Sequence, residues 1–167
     1  SGLTTEDLGF LHWWGMPTLY RCLHDPDPAN ADIALVGVPH STGNGTSWRD
    51  QHMGPRAFRD LSMGYQRLHL DWQFDPWNAC RIRDLGDVPI LESLVNDRAV
   101  REIERYFKVV DDAGCRPVSI GGDHSISVGT VSAIAMAARR EGKKVGLLWV
   151  DAHGDINTPE TSPSGNI

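Results

Sequence analysis

The stretch PVSIGGDHSISVGTVSAIAMAARREGKKVGLLWVDAHGD (117–155) decides the fold class, because it predicts a strand, a helix and a second strand in that order. PVSI (117–120) ends at two glycines, and VGLLWV (145–150) is an uninterrupted apolar run. Between them, apolar residues recur at helical spacing over 125–141. Apolar runs separated by helices are typical of parallel strands that are buried on both faces. The sequence therefore predicts an α/β fold with a mainly parallel sheet.

The preceding residues continue this alternation. IALVGV (33–38) predicts a buried strand, and GPRAFRDLSMG (54–64) predicts a helix with proline in its first turn. RIRDLGDV (81–88) predicts a short strand, and residues 96–113 have the periodicity of an amphipathic helix that Gly114 ends. We make no prediction for the aromatic stretch between residues 65 and 80.

Composition excludes several classes of function. The 167 residues contain 16 Lys+Arg and 22 Asp+Glu, a net charge of −6 that disfavours binding to nucleic acid. No apolar run approaches the ~20 residues that cross a bilayer, so no membrane association is expected. Three widely spaced cysteines indicate neither a disulfide framework nor a zinc ribbon, and they favour a cytoplasmic location.

Polar motifs follow the last two predicted strands. GGDHS (121–125) follows one strand, and DAHGD (151–155) follows the other. Ligands of open α/β sheets collect beyond the carboxyl ends of the strands. Asp151, His153 and Asp155 are spaced by two, which in an extended chain places the three side chains on one face.

These residue types in this pattern indicate a metal site. Two adjacent carboxylates repel each other and are costly to bury without a cation between them. A mixed set of Asp and His ligands suits Mn²⁺, Ni²⁺, Co²⁺, Fe²⁺ or Zn²⁺. His124, after the neighbouring strand, is a candidate for a further ligand. The alternative is that these residues form a turn or cap a helix, since the DxHxD pattern alone is loose.

The sequence resembles the ureohydrolases, the arginase and agmatinase family. SIGGDHSIS (119–127) and VDAHGDINTPETSPSGN (150–166) resemble two metal-binding signatures of that family, in the same order. GVPHSTGNGTSWRDQHMGPRAFRDLS (37–62) is similar to its first strand, the following loop and a helix start. On this likeness, residues 33–167 are the N-terminal part of a ureohydrolase catalytic domain, and residues 1–32 are an N-terminal extension.

The resemblance implies the architecture and the reaction. It implies a three-layer α/β/α fold that is incomplete in this chain, and oligomers that are trimers or hexamers. It implies two divalent metal ions, with Mn²⁺ the first expectation and Ni²⁺ the second. The implied reaction is hydrolysis of a guanidino compound to urea or a urea derivative plus an amine, by attack of a metal-bridging hydroxide.

The resemblance also implies roles for individual residues. His124 matches a ligand of the first metal, and Asp155 matches a further ligand of the same ion. Asp151 matches the catalytic carboxylate that bridges both metals, and His153 matches a ligand of the second. Asp123 matches a residue that orients these ligands.

Substrate contacts are expected from two loops. Asn157, Ser162, Ser164 and Asn166 resemble polar positions with which arginases hold the amino and carboxylate groups of arginine. Composition alone equally allows this segment to be a turn-rich surface loop. His40 lies in the loop after the first predicted strand and is a further candidate. The substrate classes left open are arginine, agmatine, a guanidino acid, guanidine and a biguanide.

Members of the family are longer and carry a further pair of aspartate ligands beyond the region matched here. The chain is therefore expected to need a C-terminal part for a complete site, and to bind metal weakly without it. Two alternatives remain open at this point. One is a non-catalytic partner subunit of a hetero-oligomeric ureohydrolase. The other is a metal-dependent amide hydrolase of the deacetylase branch, which the two motifs disfavour.

Overall fold

A computed structural model describes residues 14–43, 50–65, 68–158 and 160–162. Within this part of the chain, the central element is a sheet of four strands in the order β1-β3-β2-β4, and every pairing is parallel. The strands are β1 Leu23–His24, β2 Ile33–Val38, β3 Ile82–Asp87 and β4 Arg116–Gly121. Strand β2 lies at the centre because its apolar side chains are covered on both sides of the sheet.

Helices connect the longer strands. The α-helices are α1 Gly54–Ser62, α2 Pro76–Ala79, α3 Asn96–Asp112 and α4 Ile126–Arg140. Short 3₁₀ helices occur at Leu19–Arg21, Pro28–Asn30 and Gln51–Met53. The predictions for β2, β3, β4, α1, α3 and α4 are confirmed to within two residues at each end. The stretch without a prediction contains α2 and an isolated antiparallel bridge between His69 and Phe74.

Two apolar clusters cover opposite faces of the sheet and make three layers. On one face, Ala34 and Val36 of β2 pack with Ile103 and Phe107 of α3 and with Ala133 of α4. The other cluster contains side chains from β2, β3, α1 and the first 3₁₀ helix: Leu35, Ile82, Phe58 and Leu19. Alternation along β2 sends neighbouring side chains to opposite faces, which produces this arrangement. The predicted α/β/α layering is confirmed.

The predicted strand VGLLWV (145–150) is absent. Residues 143–150 have no regular secondary structure, and Leu148 and Val150 are 87% and 90% exposed. Val145 and Leu147 instead line a cavity of about 290 Å³ beside β4, α3 and α4. A parallel strand hides its apolar residues only when it is paired and covered on both faces. In the described part of the chain, the outer edge of β4 has no such partner.

A buried ion pair joins the beginning of the described chain to the sheet. Asp84 of β3 is 1% exposed and receives two hydrogen bonds from Arg59 of α1, at 2.9 and 3.0 Å. Its carboxylate also accepts from the backbone N–H groups of Leu19 and Gly86. Burial raises the pKa of Asp84, but these hydrogen bonds outweigh it, so the pKa lies below its ordinary value. Residues 19–24 are thereby part of the sheet layer.

Composition predicted neither a disulfide framework nor a segment that spans a membrane. Cys22, Cys80 and Cys115 form no disulfide with one another. Among the helices in the described ranges, none combines the length and the apolar character needed to span a bilayer.

Candidate metal centre

The turn after β4 and the loop after β2 meet at the carboxyl edge of the sheet. Strands β2 and β4 pair in register from Ile33 opposite Arg116 to Val38 opposite Gly121. Their carboxyl ends therefore lie side by side, and the chain leaves both strands at the same edge. This register places loop residues 39–43 against the GGDHS turn (121–125).

Glycines allow these segments to approach closely. Gly122 has a φ of +83°, and a Cβ there would lie 2.4 Å from the carbonyl oxygen of Val38. A Cβ on Gly54, at the start of α1, would lie 2.3 Å from the carbonyl oxygen of Gly121. Any larger residue would push the segments apart at either position. The turn is therefore held by backbone contact from two sides.

Asp123 holds the turn through its carboxylate. It accepts hydrogen bonds from Gly43 N at 2.8 Å, Ser125 N at 3.1 Å and Ser125 Oγ at 2.6 Å. Its own N–H donates to the carbonyl oxygen of His40 at 2.9 Å. Asp123 and Ser125 are both 6% exposed. These contacts fix the two residues that flank His124, which is compatible with the predicted orienting role of Asp123.

Three of the four predicted metal ligands converge. His124 Nδ1 lies 3.0 Å from Asp151 Oδ2 and 2.8 Å from Asp155 Oδ2. One potential ligand atom from each of the three residues lies within 4.8 Å of the other two. The residues come from two segments 27 positions apart, and they converge although the strand predicted before Asp151 is absent.

The carboxylates of Asp151 and Asp155 repel each other at this separation, and a cation between them would offset that repulsion. An imidazole Nδ1 carries at most one hydrogen, so it cannot donate a full hydrogen bond to both carboxylates. The second carboxylate then lies against the first without a compensating charge. A divalent ion in place of that hydrogen would bind the nitrogen and both oxygens. Nitrogen and carboxylate donors together suit Mn²⁺ and related ions, so the residues present fit such a metal.

The backbone at Asp155 brings its carboxylate back toward His124. Asp155 has a φ of +45°, in the left-handed region that non-glycine residues rarely adopt. Aspartate tolerates this region better than most residues. The extended geometry that predicted one shared face for residues 151–155 is therefore wrong. Asp151 and Asp155 converge because the chain bends between them.

His153 lies on the other side of Asp151. Its side chain is 82% exposed, and its Nδ1 is 3.4 Å from Asp151 Oδ1, the oxygen that faces away from His124. The backbone N–H of His153 donates to the same oxygen at 2.8 Å, which lowers the pKa of Asp151. The two oxygens of Asp151 thus point toward two different imidazoles. His153 is the one predicted ligand outside the three-residue cluster.

Trp149 is a neighbour of the site that sequence reasoning missed. Its indole stacks on the His124 imidazole, with ring centroids 4.7 Å apart and an interplanar angle of 11°. Its Nε1 is enclosed and has no hydrogen-bond partner in the described part of the chain. The available signal was its position two residues before Asp151, but the prediction of a buried strand assigned it to the core.

His40 does not face an open site. Its side chain is 1% exposed, and its Nε2 lies 2.8 Å from Asn96 Oδ1 and 3.2 Å from Thr42 Oγ1. The substrate contact predicted for His40 is therefore replaced by a contact inside the protein. Asn96 was not predicted to have any role, because nothing in its local sequence indicates the distant partner.

The candidate substrate loop is described only in part. Asn157 is exposed, and Thr161 Oγ1 lies 3.5 Å from Asn157 Oδ1. Ser162 is half-buried, and its N–H donates to the carbonyl oxygen of Thr158 in a turn. Ser164 and Asn166 lie outside the described residues. Both described positions thus take part in contacts at the end of the DAHGD segment.

Known proteins are similar to this chain over most of its length. A family model described as the arginase family matches residues 31–167. The arginase of Bacillus caldovelox is 38% identical over 151 residues, covering 81% of this chain and 45% of that protein. The guanidinopropionase of Pseudomonas aeruginosa is 35% identical over 143 residues, covering 86% of this chain and 43% of that protein. The chain thus spans less than half the length of these relatives.

A solved structure shares the fold. The crystal structure of Trypanosoma cruzi formiminoglutamase with Mn²⁺ aligns with a TM-score of 0.68 at 25% identity. The alignment covers 89% of this chain and 48% of that chain. The arrangement of strands and helices described above therefore corresponds to about half of that solved fold.

Proposed function

This chain belongs to the arginase family, and we propose that it carries part of a binuclear metal site for hydrolysing a guanidino compound. The products would be urea, or a urea derivative, and an amine. His124, Asp151 and Asp155 would hold one divalent ion, and Asp151 and His153 would contribute to a second. Mn²⁺ is the first candidate, supported by its presence in the T. cruzi relative, and Ni²⁺ is the second.

The observation that carries this proposal is the orientation of the Asp151 carboxylate. One oxygen faces His124 at 3.0 Å, and the other faces His153 at 3.4 Å. A carboxylate with an imidazole on each side is arranged to join two cations. A single-metal site would need only one of these oxygens.

The residues of this chain would bind and orient rather than react. Bound divalent ions lower the pKa of water and polarise a substrate, which supplies a nucleophile at neutral pH. Asp151 and Asp155 would provide the negative charge that retains the ions, and the Asp123 turn would keep His124 in place. The neutral amide of Asn157 and the hydroxyl of Ser162 could orient a substrate without adding charge.

We propose a guanidino compound that carries a carboxylate as the substrate class. The relatives include an arginase and a guanidinopropionase, and the amide N–H of Asn157 and the hydroxyl of Ser162 can donate hydrogen bonds to a carboxylate. Agmatine and free guanidine lack that group, so they are the informative comparison. Arginine, guanidinopropionate, agmatine and guanidine together form the test panel.

The test combines metal content with urea release from the purified full-length protein, which includes the C-terminal part that a complete site is expected to need. We expect two Mn²⁺ per chain, and Asp151→Asn should empty both positions and abolish urea release. Asp71→Asn, at an exposed loop position, is the matched control and should leave both readouts unchanged. Two ions retained by Asp151→Asn would contradict the bridging role. Release of acetate from an amide without any urea would contradict the guanidino reaction.

A further inference from the structure

We propose that Asn96, the first residue of α3, is a positioning residue that fixes the place of His124. The inference rests on the proposed function, because it gives His124 the role of a metal ligand. Asn96 touches neither His124 nor the two aspartates. It acts through the residues on either side of His124.

The carboxamide of Asn96 joins three separate parts of the chain. His40 Nε2, in the loop after β2, lies 2.8 Å from Asn96 Oδ1. Ser125 Oγ, in the turn after β4, lies 3.2 Å from the same oxygen, a secondary contact of a hydroxyl whose one hydrogen is directed mainly to Asp123 Oδ1. Thr42 Oγ1 adds a link by donating to the carbonyl oxygen of Ser93, just before α3. One half-buried amide oxygen therefore contacts both the loop after β2 and the GGDHS turn from the start of α3.

The connection passes from Ser125 to Asp123. Ser125 Oγ also donates to Asp123 Oδ1 at 2.6 Å, and Ser125 N donates to the same carboxylate oxygen. Gly43 N donates to the other oxygen of Asp123. Both neighbours of His124 are thus held by buried groups, and Asn96 is the contact that links them to α3.

His124 itself has little to hold it. Its side chain is 50% exposed, and its contacts in the described part of the chain are with Asp151, Asp155 and Trp149. Those three residues lie on the segment without regular secondary structure. The imidazole therefore takes its direction from the clamped backbone of residues 123–125. Loss of the Asn96 contact should let the turn shift and move Nδ1 away from the carboxylates.

There is little room for the turn to relax in place. A Cβ on Gly43 would lie 2.2 Å from Ser125 Oγ, so the loop after β2 already touches the turn. The His40 side chain is fully enclosed and cannot turn to water for a replacement partner. Residues that orient metal ligands typically change metal affinity or activity by about 10–100-fold when they are replaced.

The experiment compares three variants of the full-chain protein. Asn96→Ala removes the amide, and Asp97→Ala, at the next and exposed position of α3, controls for weakening the helix start. His40→Gln keeps a donor nitrogen near the position of Nε2 and is the conservative variant. The first readout is the nuclear Overhauser contact between the His124 and Trp149 rings in the metal-free protein. The second is the dissociation constant for Mn²⁺.

We expect Asn96→Ala to lose the ring contact and to bind Mn²⁺ about 10–100-fold more weakly. His40→Gln and Asp97→Ala should keep the contact and bind within about threefold of the original protein. An intact ring contact in Asn96→Ala, or an equal loss in Asp97→Ala, would overturn the inference. If the unaltered protein binds no Mn²⁺, the proposed function fails, while the ring contact still decides the role of Asn96.

Discussion

The GGDHS turn and the DAHGD segment each supply part of the candidate site, but the protein holds them in opposite ways. The turn contains Asp123 and Ser125, both nearly buried, and backbone groups from β2 and α1 press against it. The residues of the DAHGD segment are exposed except for the Asp151 side chain, and their side-chain ion pairs with other segments of the described chain are those with His124. A ligand whose backbone neighbours are fixed thus faces two ligands on a less constrained segment. The difference suggests that a bound cation would order the second segment more than the first.

We expect the largest effect in the packed half of the molecule, which comprises the sheet, its covering helices and the GGDHS turn. Arg59→Ala leaves the buried Asp84 carboxylate without its guanidinium partner and should lower the free energy of unfolding by about 3–5 kcal/mol. Arg81→Ala is the matched control, because the Arg81–Asp32 pair is exposed and should contribute no more than about 1 kcal/mol. Urea denaturation followed by circular dichroism measures both. Equal losses would show that water reaches Asp84 and that its ion pair with Arg59 contributes no more than an exposed ion pair.

Acid should weaken the same ion pair. The pKa of Asp84 lies below its ordinary value of 3.8 in the folded protein, because its hydrogen bonds outweigh the effect of burial. The unfolded carboxyl group therefore takes up a proton at higher pH than the folded one. Its stabilisation is complete above about pH 3.8 and is lost as the pH falls through the lower folded pKa. Denaturation curves between pH 5 and 2 should show this slope, and Asp84→Asn should reduce it.

A matched pair of valines tests the contrast directly. Val36→Ala, in the buried centre of β2, should cost about 2–3 kcal/mol of unfolding free energy. Val150→Ala, at a 90% exposed position, should change it by less than about 0.5 kcal/mol. Both variants remove the same two methyl groups, so thermal and urea unfolding compare them without a chemical difference. A large loss at Val150 would mean that residues 145–150 are buried after all.

We expect the smallest effect in the open half of the molecule, which comprises the exposed residues that follow α4. Asn157→Ala should raise KM for carboxylated guanidino substrates by about fivefold, equivalent to about 1 kcal/mol, because an exposed polar contact contributes little. KM for guanidine should not change. Steady-state urea release with arginine and guanidine measures the ratio. An unchanged ratio would remove the role of this loop in recognising a carboxylate.

Sequence patterns predicted the packed half well and the open half poorly. Strand β2 and helices α3 and α4 were predictable because their periodicity coincides with burial in the folded chain. VGLLWV (145–150) has an equally clear pattern, but apolar character alone does not provide a neighbouring strand and two covering layers. Strand β1, only two residues long, carries no periodicity from which it could have been predicted.

In the candidate site, too, some features could be predicted from the sequence and others could not. Convergence of His124 with Asp151 and Asp155 was predicted from a parallel strand before Asp151. The residues converge although that strand is absent, with a bend at Asp155 that was not foreseen. Asn96 and Trp149 were missed because their contacts join positions far apart in the chain. Such pairings depend on the three-dimensional arrangement, and a single sequence does not show them.

The outer edge of β4 has a practical consequence for handling the protein. Val118 is 47% exposed on this strand, and no other strand covers the edge in the described ranges. An exposed edge with apolar side chains is a template for pairing between molecules. The 167 residues taken by themselves should therefore associate through this edge at high concentration. A charged residue placed there, as in Val118→Lys, should raise the concentration at which the protein stays clear.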